Sequence, residues 1–460
     1  MAYREPGVQS TFVASPGGEN LIGNIRLPAI IGQGSASYTV TELVTRASSG
    51  TTDTLAHTAT QILQVGNYST TTDYVLTTDY LLTTGKIDWS PAHTTPTSGQ
   101  KYYVTYKYAK VSGDYVPKLF DNINDVIAEY GPITYNSSTK LIDVTAYLTL
   151  GAYLAFKNGA QQVILAQVND PTTASSFDDA FTQLEEEVSG QNPNIIVPIF
   201  DTLSHVGAPA SPFDSGITFA VAHVLKMGAP EYGKERTLFT SLWDGSATTD
   251  LITKATAIHN ENISVIAPAN AIFTASYAGA TADCQVGGDF LACAVAGLGV
   301  SQDPAEPYTR KLINGFKSLV TPLLTQVQRI NLASAGVMVL KQTAGIIRVS
   351  QGLTTDPSTV NTSQVTVPQI KAWTIQNVRH ACDSYIGKKF ADGTTKKIEV
   401  TVSNVLEQIV DAEIITKYAN VSAKQDPLNP LKAKVSFSIL PMYSLDYIDI
   451  TFTIDLGLLS

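Results

Sequence analysis

The chain has 460 residues, too many for a single hydrophobic core, so two to four domains are expected. Hydrophobic residues make up 44% and charged residues only 15%, which leaves Thr, Ser, Asn and Gln to build most of the polar surface. The net charge of −10 argues against a nucleic-acid coat, and no basic run exceeds a pair such as Lys388-Lys389 or Lys396-Lys397. No stretch approaches the roughly 18 apolar residues that a membrane span needs. The opening residues, MAYREPGVQS, carry no apolar run of the kind a secretory signal requires, so a cytoplasmic protein is expected. Cys284, Cys293 and Cys382 show no CxxC spacing and read as small buried hydrophobes in a reducing compartment.

In chain order, Pro6, Gly7, Pro16, Gly17 and Gly18 punctuate the first twenty residues. Between them Val8, Gln9, Ser10, Thr11, Phe12 and Val13 can form a short extended arm, since the flanking prolines exclude a long central strand. Leu27 to Gly34 (LPAIIGQG) reads as a short buried strand. Its glycines invite a dinucleotide reading that fails, because the strand-like Thr39 to Thr45 follows where a helix would be needed. Residues 38–110 read as all-β, a small barrel or sandwich. They are rich in Thr, Tyr and Val, and they carry a local repeat, Thr71-Thr72-Asp73-Tyr74 and Thr77-Thr78-Asp79-Tyr80.

Residues 111–330 alternate between helical and strand patterns. Helices are expected at 122–129, 148–157, 176–189, 215–228, 247–260 and 290–298, with strands at 162–168, 195–200, 236–241 and 263–267. The sum is a three-layer α/β unit with a largely parallel sheet. Such a sheet can hold an active site at its strand ends, where Asp201, His205 and Asp244 fall. No GxSxG elbow, P-loop or HExxH motif is present, and the six histidines have no ligand spacing, so these residues read as loop caps.

Residues 331–442 are expected to form a further α/β unit. It would have strands at 336–340 and 346–355, a helix over Lys371–Lys389, a second helix over Thr401–Tyr418 and a strand at 433–441. The last strand, Leu445 to Leu456, alternates strictly. Ile448, Ile450, Phe452, Ile454 and Leu456 fall on one face, and Tyr447, Asp449, Thr451, Thr453 and Asp455 on the other. It contains no Pro, Gly or Lys to guard its edge against pairing with another chain.

Several short motifs occur in a fixed order. They are Arg4-Glu5-Pro6-Gly7-Val8, Ala29 to Gly34, and Asp289 to Gly299 followed by Asp303-Pro304-Ala305. Gly336-Val337 with Ile346 to Thr355 comes next, then Trp373 with Asn377 to His380 and Asp383, Tyr385 and Ile386, and last Tyr447 to Ile450. In this order the chain resembles the contractile-tail sheath proteins of bacteriophages over nearly its whole length.

The resemblance implies a non-enzymatic structural subunit without cofactors, found in the virion after assembly in the host cytoplasm. Subunits would stack as rings into a helical homo-oligomer around a tail tube protein, between baseplate and tail terminator proteins, without contacting nucleic acid or membrane. It further implies a middle α/β domain over 21–37 and 111–330, interrupted by the inserted β domain at 38–110. A carboxy-terminal α/β domain would span 331–442, with arms at 1–20 and 443–460. Inter-subunit strands would come from Val8, Gln9, Ser10, Thr11, Phe12 and Val13, and from Tyr447, Ile448, Asp449, Ile450, Thr451, Phe452, Thr453 and Ile454. Contact with the tube would involve Lys388 and Lys389, or Glu407, Asp411 and Lys417. The alternatives are the sheath of a bacteriocin-like or type VI-like injection system, and an α/β hydrolase.

Overall fold

The computed structural model describes residues 26–68, 73–91, 94–201, 211–242, 247–391 and 393–446. An eight-stranded sheet forms its centre. From one edge to the other its strands are Ile346–Val349, Val337–Thr343, Ile263–Ala267, Thr237–Thr240, Ile195–Pro198, Pro28–Gly32, Val163–Gln167 and Lys118–Phe120. Every interior pairing is parallel, and both edge strands run antiparallel. Helices cover both faces, so the interior strands are apolar along their length rather than alternating. Ile30, Leu165, Val197, Ile266 and Met338 point into one layer, and their neighbours Ile31, Ile164, Ile196, Val265 and Val337 into the other.

The first layer holds the helix Gly288–Ser301, which packs against Tyr147–Lys157. The two approach so closely that a Cβ on Gly297 would lie 2.3 Å from the Ala155 carbonyl oxygen. At the helix start, buried Asp289 ties two strand ends together. Its carboxylate accepts the N–H of Phe200 at 2.8 Å and that of Ser241 at 3.0 Å. Burial, with Asp201 nearby, pushes the Asp289 carboxyl well above its usual range.

The second layer holds Ala174–Gln183, Pro212–Met227 and Thr248–Ile258. Within it, the Arg236 guanidinium lies 2.6 Å from His223 Nε2 and donates to the Leu184 carbonyl at 2.7 Å. Burial and the adjacent guanidinium lower the His223 pKa to about 3, so the ring is neutral and accepts from Arg236.

Between Pro28–Gly32 and Lys118–Phe120, residues 37–109 make two small antiparallel sheets around their own apolar cluster. Trp89 is central there. Tyr74 and Tyr102 meet it edge-on, and Tyr80 lies against it at a tilt. The two Thr-Thr-Asp-Tyr repeats thus each supply one tyrosine to this core. Asp53 accepts from Trp89 Nε1 at 2.9 Å and from the Tyr102 hydroxyl at 2.6 Å, and it pairs with Arg46 at 3.1 Å.

Several elements differ from expectation. The strands Val337–Thr343 and Ile346–Val349, expected in a separate carboxy-terminal unit, extend the large sheet. The helix expected at 176–189 ends at Gln183. The hairpin Asn270–Tyr277 with Ala280–Gly287 was not anticipated, because its Ala-rich strands carry little β-branched signal. The helix expected at 371–389 spans Thr366–Asp383, with Pro368 tolerated in its first turn. The helix expected at 401–418 spans Thr394–Asp411. It stops at Ala412, and Glu413 takes a left-handed conformation (φ 58°) where a glycine would have marked the end.

The His223 pair predicts an acid sensitivity with a definite sign. A histidine whose folded pKa lies below its ordinary 6.5 stabilises the fold above that value and loses the contribution as pH falls. Stability should therefore drop by about 1.4 kcal/mol per pH unit between roughly 6.5 and 4 from this group alone. In His223→Gln, whose amide oxygen can still accept from Arg236, that component should vanish. Chemical denaturation of both proteins across this range checks it, and parallel slopes would refute the assignment.

Candidate assembly interface

The carboxy-terminal part of the described chain is built on one long hairpin, Ile415–Asp426 paired with Asn429–Pro441. Ala433, Val435, Phe437 and Ile439 alternate with exposed Lys434, Ser436, Ser438 and Leu440. The first set packs on Ile398, Val402, Leu406 and Ile409 of Thr394–Asp411, and that helix in turn meets Ile370, Trp373 and Val378 of Thr366–Asp383. Apolar residues four, four and three apart give the Thr394–Asp411 helix the single buried stripe it needs to carry a sheet.

Among the described residues the hairpin strands pair only with each other, so each presents an outer backbone edge. The Ala423 N–H donates to Glu399 at 3.0 Å. That bond, with Lys396 at 3.0 Å, holds the Glu399 carboxyl below its usual range. Leu428 and Leu431 at the hairpin tip are 89% and 91% exposed.

The structure disperses the residues expected at the tube. Lys388 and Lys389 lie beyond the end of Thr366–Asp383, after a turn through Gly387 (φ 78°), and so are not a basic helix end. Glu407 and Asp411 share the exposed face of Thr394–Asp411 one turn apart. Lys417 is not on that helix. It sits exposed on the first hairpin strand, opposite Leu440. The β-branched run Ile414-Ile415-Thr416 favours strand there, so the helix expected to run on to Tyr418 gives way to the hairpin. The Tyr418 hydroxyl is raised by burial and by Glu407.

The Thr394–Asp411 helix also carries its charges against its own dipole. Lys396 and Lys397 stand in the first turn, where the helix end is positive, and Asp411 stands in the last, where it is negative. Val8 to Val13 and Tyr447 to Ile454, expected as inter-subunit strands, lie outside the described residues, as do His205 and Asp244.

What sequence reading missed is where the two ends of the described chain are held. Arg26 is buried. Its guanidinium donates to the carbonyls of Gly299 at 2.7 Å and Gln302 at 3.2 Å, at the C-terminal end of Gly288–Ser301, and to Gln369 Oε1 at 2.7 Å. Gln369 Nε2 in turn donates to the Tyr308 hydroxyl at 2.9 Å. Burial lowers the Arg26 pKa, and Tyr308 and Asp303 partly offset it.

At the other end, Asp446 accepts from Thr309 Oγ1 at 2.8 Å, Gln364 Nε2 at 2.7 Å and Gln351 Nε2 at 3.1 Å. Burial raises the Asp446 carboxyl, but these hydrogen bonds outweigh it and leave the pKa lowered. Both ends are thus fixed to one patch, made by Tyr308-Thr309 and the residues around the start of Thr366–Asp383. The available signal was weak: an arginine directly before a buried strand, with no acidic residue near it in sequence.

Residues 28–124 match a family described as a domain of unknown function (DUF4815). The tail sheath protein of Mycobacterium phage Bxz1 is 27% identical over 367 residues, which cover 77% of this chain and 59% of that protein. The chain therefore spans under two thirds of that relative's length. The helical sheath of the anti-feeding prophage in its contracted state has a TM-score of 0.55 at 11% identity, over 99% of this chain and 100% of that one. A chain in the structure of the anti-feeding prophage baseplate gives 0.56 at 12% identity, with the same two coverages. The contracted PVC sheath complex, an extracellular contractile injection system, gives 0.52 at 13% identity over 74% of this chain and 87% of that one. The fold is that of contractile-sheath subunits. In sequence the chain is similar to one bacteriophage tail sheath protein, at 27% identity.

Replacing Arg26 by Lys keeps the charge but loses the three-way fork, leaving buried carbonyls unpaired. It should lower stability by about 2 kcal/mol or more. Asp446→Ala, at a half-buried site, should cost about 1 kcal/mol or less globally yet speed proteolytic cleavage around residues 440–446. Thermal unfolding and timed proteolysis of the two variants check both, and equal thermal losses would refute the distinction.

Proposed function

We propose that this chain is the structural subunit of a contractile phage tail sheath. It would polymerise as stacked rings around a tail tube protein and contract to drive the tube through the host envelope. The observation that carries the reading is the match of nearly the whole chain to a helical sheath subunit, together with sequence relation to a phage tail sheath protein. On this reading the protein is a virion component assembled in the host cytoplasm, with baseplate and tail terminator proteins as further partners and no catalytic role.

The inserted β module at 38–110 would face away from the shared sheath body. The terminal segments, 1–20 and 443–460, would act as arms that add strands to the hairpin 415–441 of neighbouring subunits. That hairpin suits the role because it is long, supported on one face and carries outer edges. One added strand with five buried apolar residues and its hydrogen bonds gains on the order of 10 kcal/mol before ordering costs. Such a joint can hold while domains rotate as rigid bodies. The likeness to the anti-feeding prophage and PVC sheaths supports a second reading, the sheath of an injection system of that kind, with the same mechanics.

For tube contact, Glu407 and Asp411 now form the better-defined candidate, because they share one exposed helix face. Lys388, Lys389 and Lys417 remain as separate cations on other elements.

Two experiments test the reading. Full-length protein should form sheath-like cylinders visible by electron microscopy, and removal of residues 447–460, which leaves the Asp446 anchor in place, should yield folded monomers. Cylinders from the truncated chain would sink strand exchange. Glu407→Lys with Asp411→Lys should leave self-assembly intact while reducing tube co-sedimentation about tenfold, and unchanged tube binding would remove this helix face from consideration.

A further inference from the structure

The charge of this chain is unevenly distributed along the large sheet. From Pro307 to Thr355 there is no acidic residue, although the chain as a whole carries −10. The same stretch holds Arg310, Lys311, Lys317, Arg329, Lys341 and Arg348. Lys311 pairs with Glu306, and Lys317 with Asp283. Lys341 and Arg348 stand directly opposite each other on the antiparallel edge pair, both exposed, and neither forms an ion pair with a described residue. Like charges in that position repel across the strands. Arg348 is further aimed by its hydrogen bond to the Arg310 carbonyl at 3.0 Å. Lys341 also lines a groove of about 370 Å³ with Leu323, Leu324, Gln328, Arg329 and Leu340. Beside this groove Val327 is 66% exposed and Ile330 55% exposed, with Ile346 also bare on the edge strand.

The opposite edge of the same sheet has the reverse charge. It consists of Lys118–Phe120 and the following helix Ile123–Tyr130. Its cations, Lys110 and Lys118, are both taken by Glu129 at 3.2 and 2.8 Å. Asp121 and Asp125 are exposed and share a single neutral partner, the Asn122 amide, at 2.8 and 2.6 Å. Asp114 lies nearby, and its carboxylate accepts the Val111 N–H at 2.8 Å. Val111, Val116 and Ile127 are exposed among these acids.

We propose that these two edges are the two halves of one interface between copies of this chain. The basic, apolar edge at Lys341 and Arg348 would dock on the acidic, apolar edge at Asp121 and Asp125 of the next subunit. The occupant is a second copy because the complementary surface is present on the chain itself, at the other end of the same rigid sheet. Two different surfaces meeting head to tail propagate into rings or helices rather than closing a dimer. The Ile346–Val349 strand does not contribute by strand addition, since it is already flanked by Arg310, Lys311 and Ile313. The contact is made by side chains, so it is electrostatically steered and sensitive to salt. It rests on the sheath reading, but uses surfaces separate from the terminal arms and the 415–441 hairpin.

The test uses full-length protein in three forms: wild type, Lys341→Glu with Arg348→Glu, and Asp121→Lys with Asp125→Lys. Analytical ultracentrifugation at low and high salt reads the concentration at which polymers form. Each reversed variant alone should need at least about tenfold more protein than wild type. An equimolar mixture of the two should polymerise near the wild-type concentration, because every contact in an alternating polymer is again of opposite sign. Reversed variants that polymerise like wild type, or a mixture no better than its components, would overturn the interface while leaving the sheath reading standing. A wild-type chain that stays monomeric throughout would overturn both.

Discussion

The structure depends on where the buried guanidinium of Arg26 is placed. It closes the C-terminal end of the helix Gly288–Ser301, which fills one side of the sheet, and reaches across to Gln369 at the start of Thr366–Asp383, the helix against which the hairpin-bearing Thr394–Asp411 packs. A cation at a helix C-terminus is favourable, and its fork satisfies carbonyls that would otherwise be orphaned. With Asp446 held to Thr309, Gln351 and Gln364 beside it, both ends of the described chain are fixed to a single node. Both anchors lie next to the large sheet and make no use of the β module at 37–109.

That sheet is stiff by construction. Parallel strands buried on both sides have few local ways to yield, and the close approach at Gly297 and the Asp289 strap join helices to strand ends with little free space. The hairpin 415–441 stands apart from it on two helices with its own apolar cluster. Strength in the sheet and exposed backbone edges on the hairpin are opposite properties, and the chain assigns them to different cores.

The legible parts of the fold were those in which periodicity and burial coincide. Ile263–Ala267 reads as an apolar run broken only by Ser264 and is a fully buried parallel strand, and the edges of Tyr147–Lys157 fall within a residue of expectation. Errors arose where the usual punctuation is missing. Glu413 ends a helix in a conformation normally given to glycine, so helix was carried on into what is strand. Val337–Thr343 follows a long break and a helix, and nothing local tells that it returns to the sheet begun by Pro28–Gly32 some three hundred residues earlier. At the candidate interface, Glu407 and Asp411 could be placed on one helix face from spacing alone. Arg26 and Asp446 could not, because their partners are distant in sequence and mostly neutral amides and carbonyls.

Charge placement ties these observations together. A chain with only 15% charged residues has few to spend, and several stand in locally unfavourable positions on the isolated subunit. Lys396, Lys397 and Asp411 oppose the dipole of their own helix, and Lys341 faces Arg348 across a strand pair. Each arrangement costs the monomer a few tenths of a kcal/mol to about 1 kcal/mol. The sum is small against the fold and falls on exposed faces, where it can be recovered when a surface of opposite sign is brought up. The low charge elsewhere makes such local excesses effective, since little else on the surface competes for the same partner.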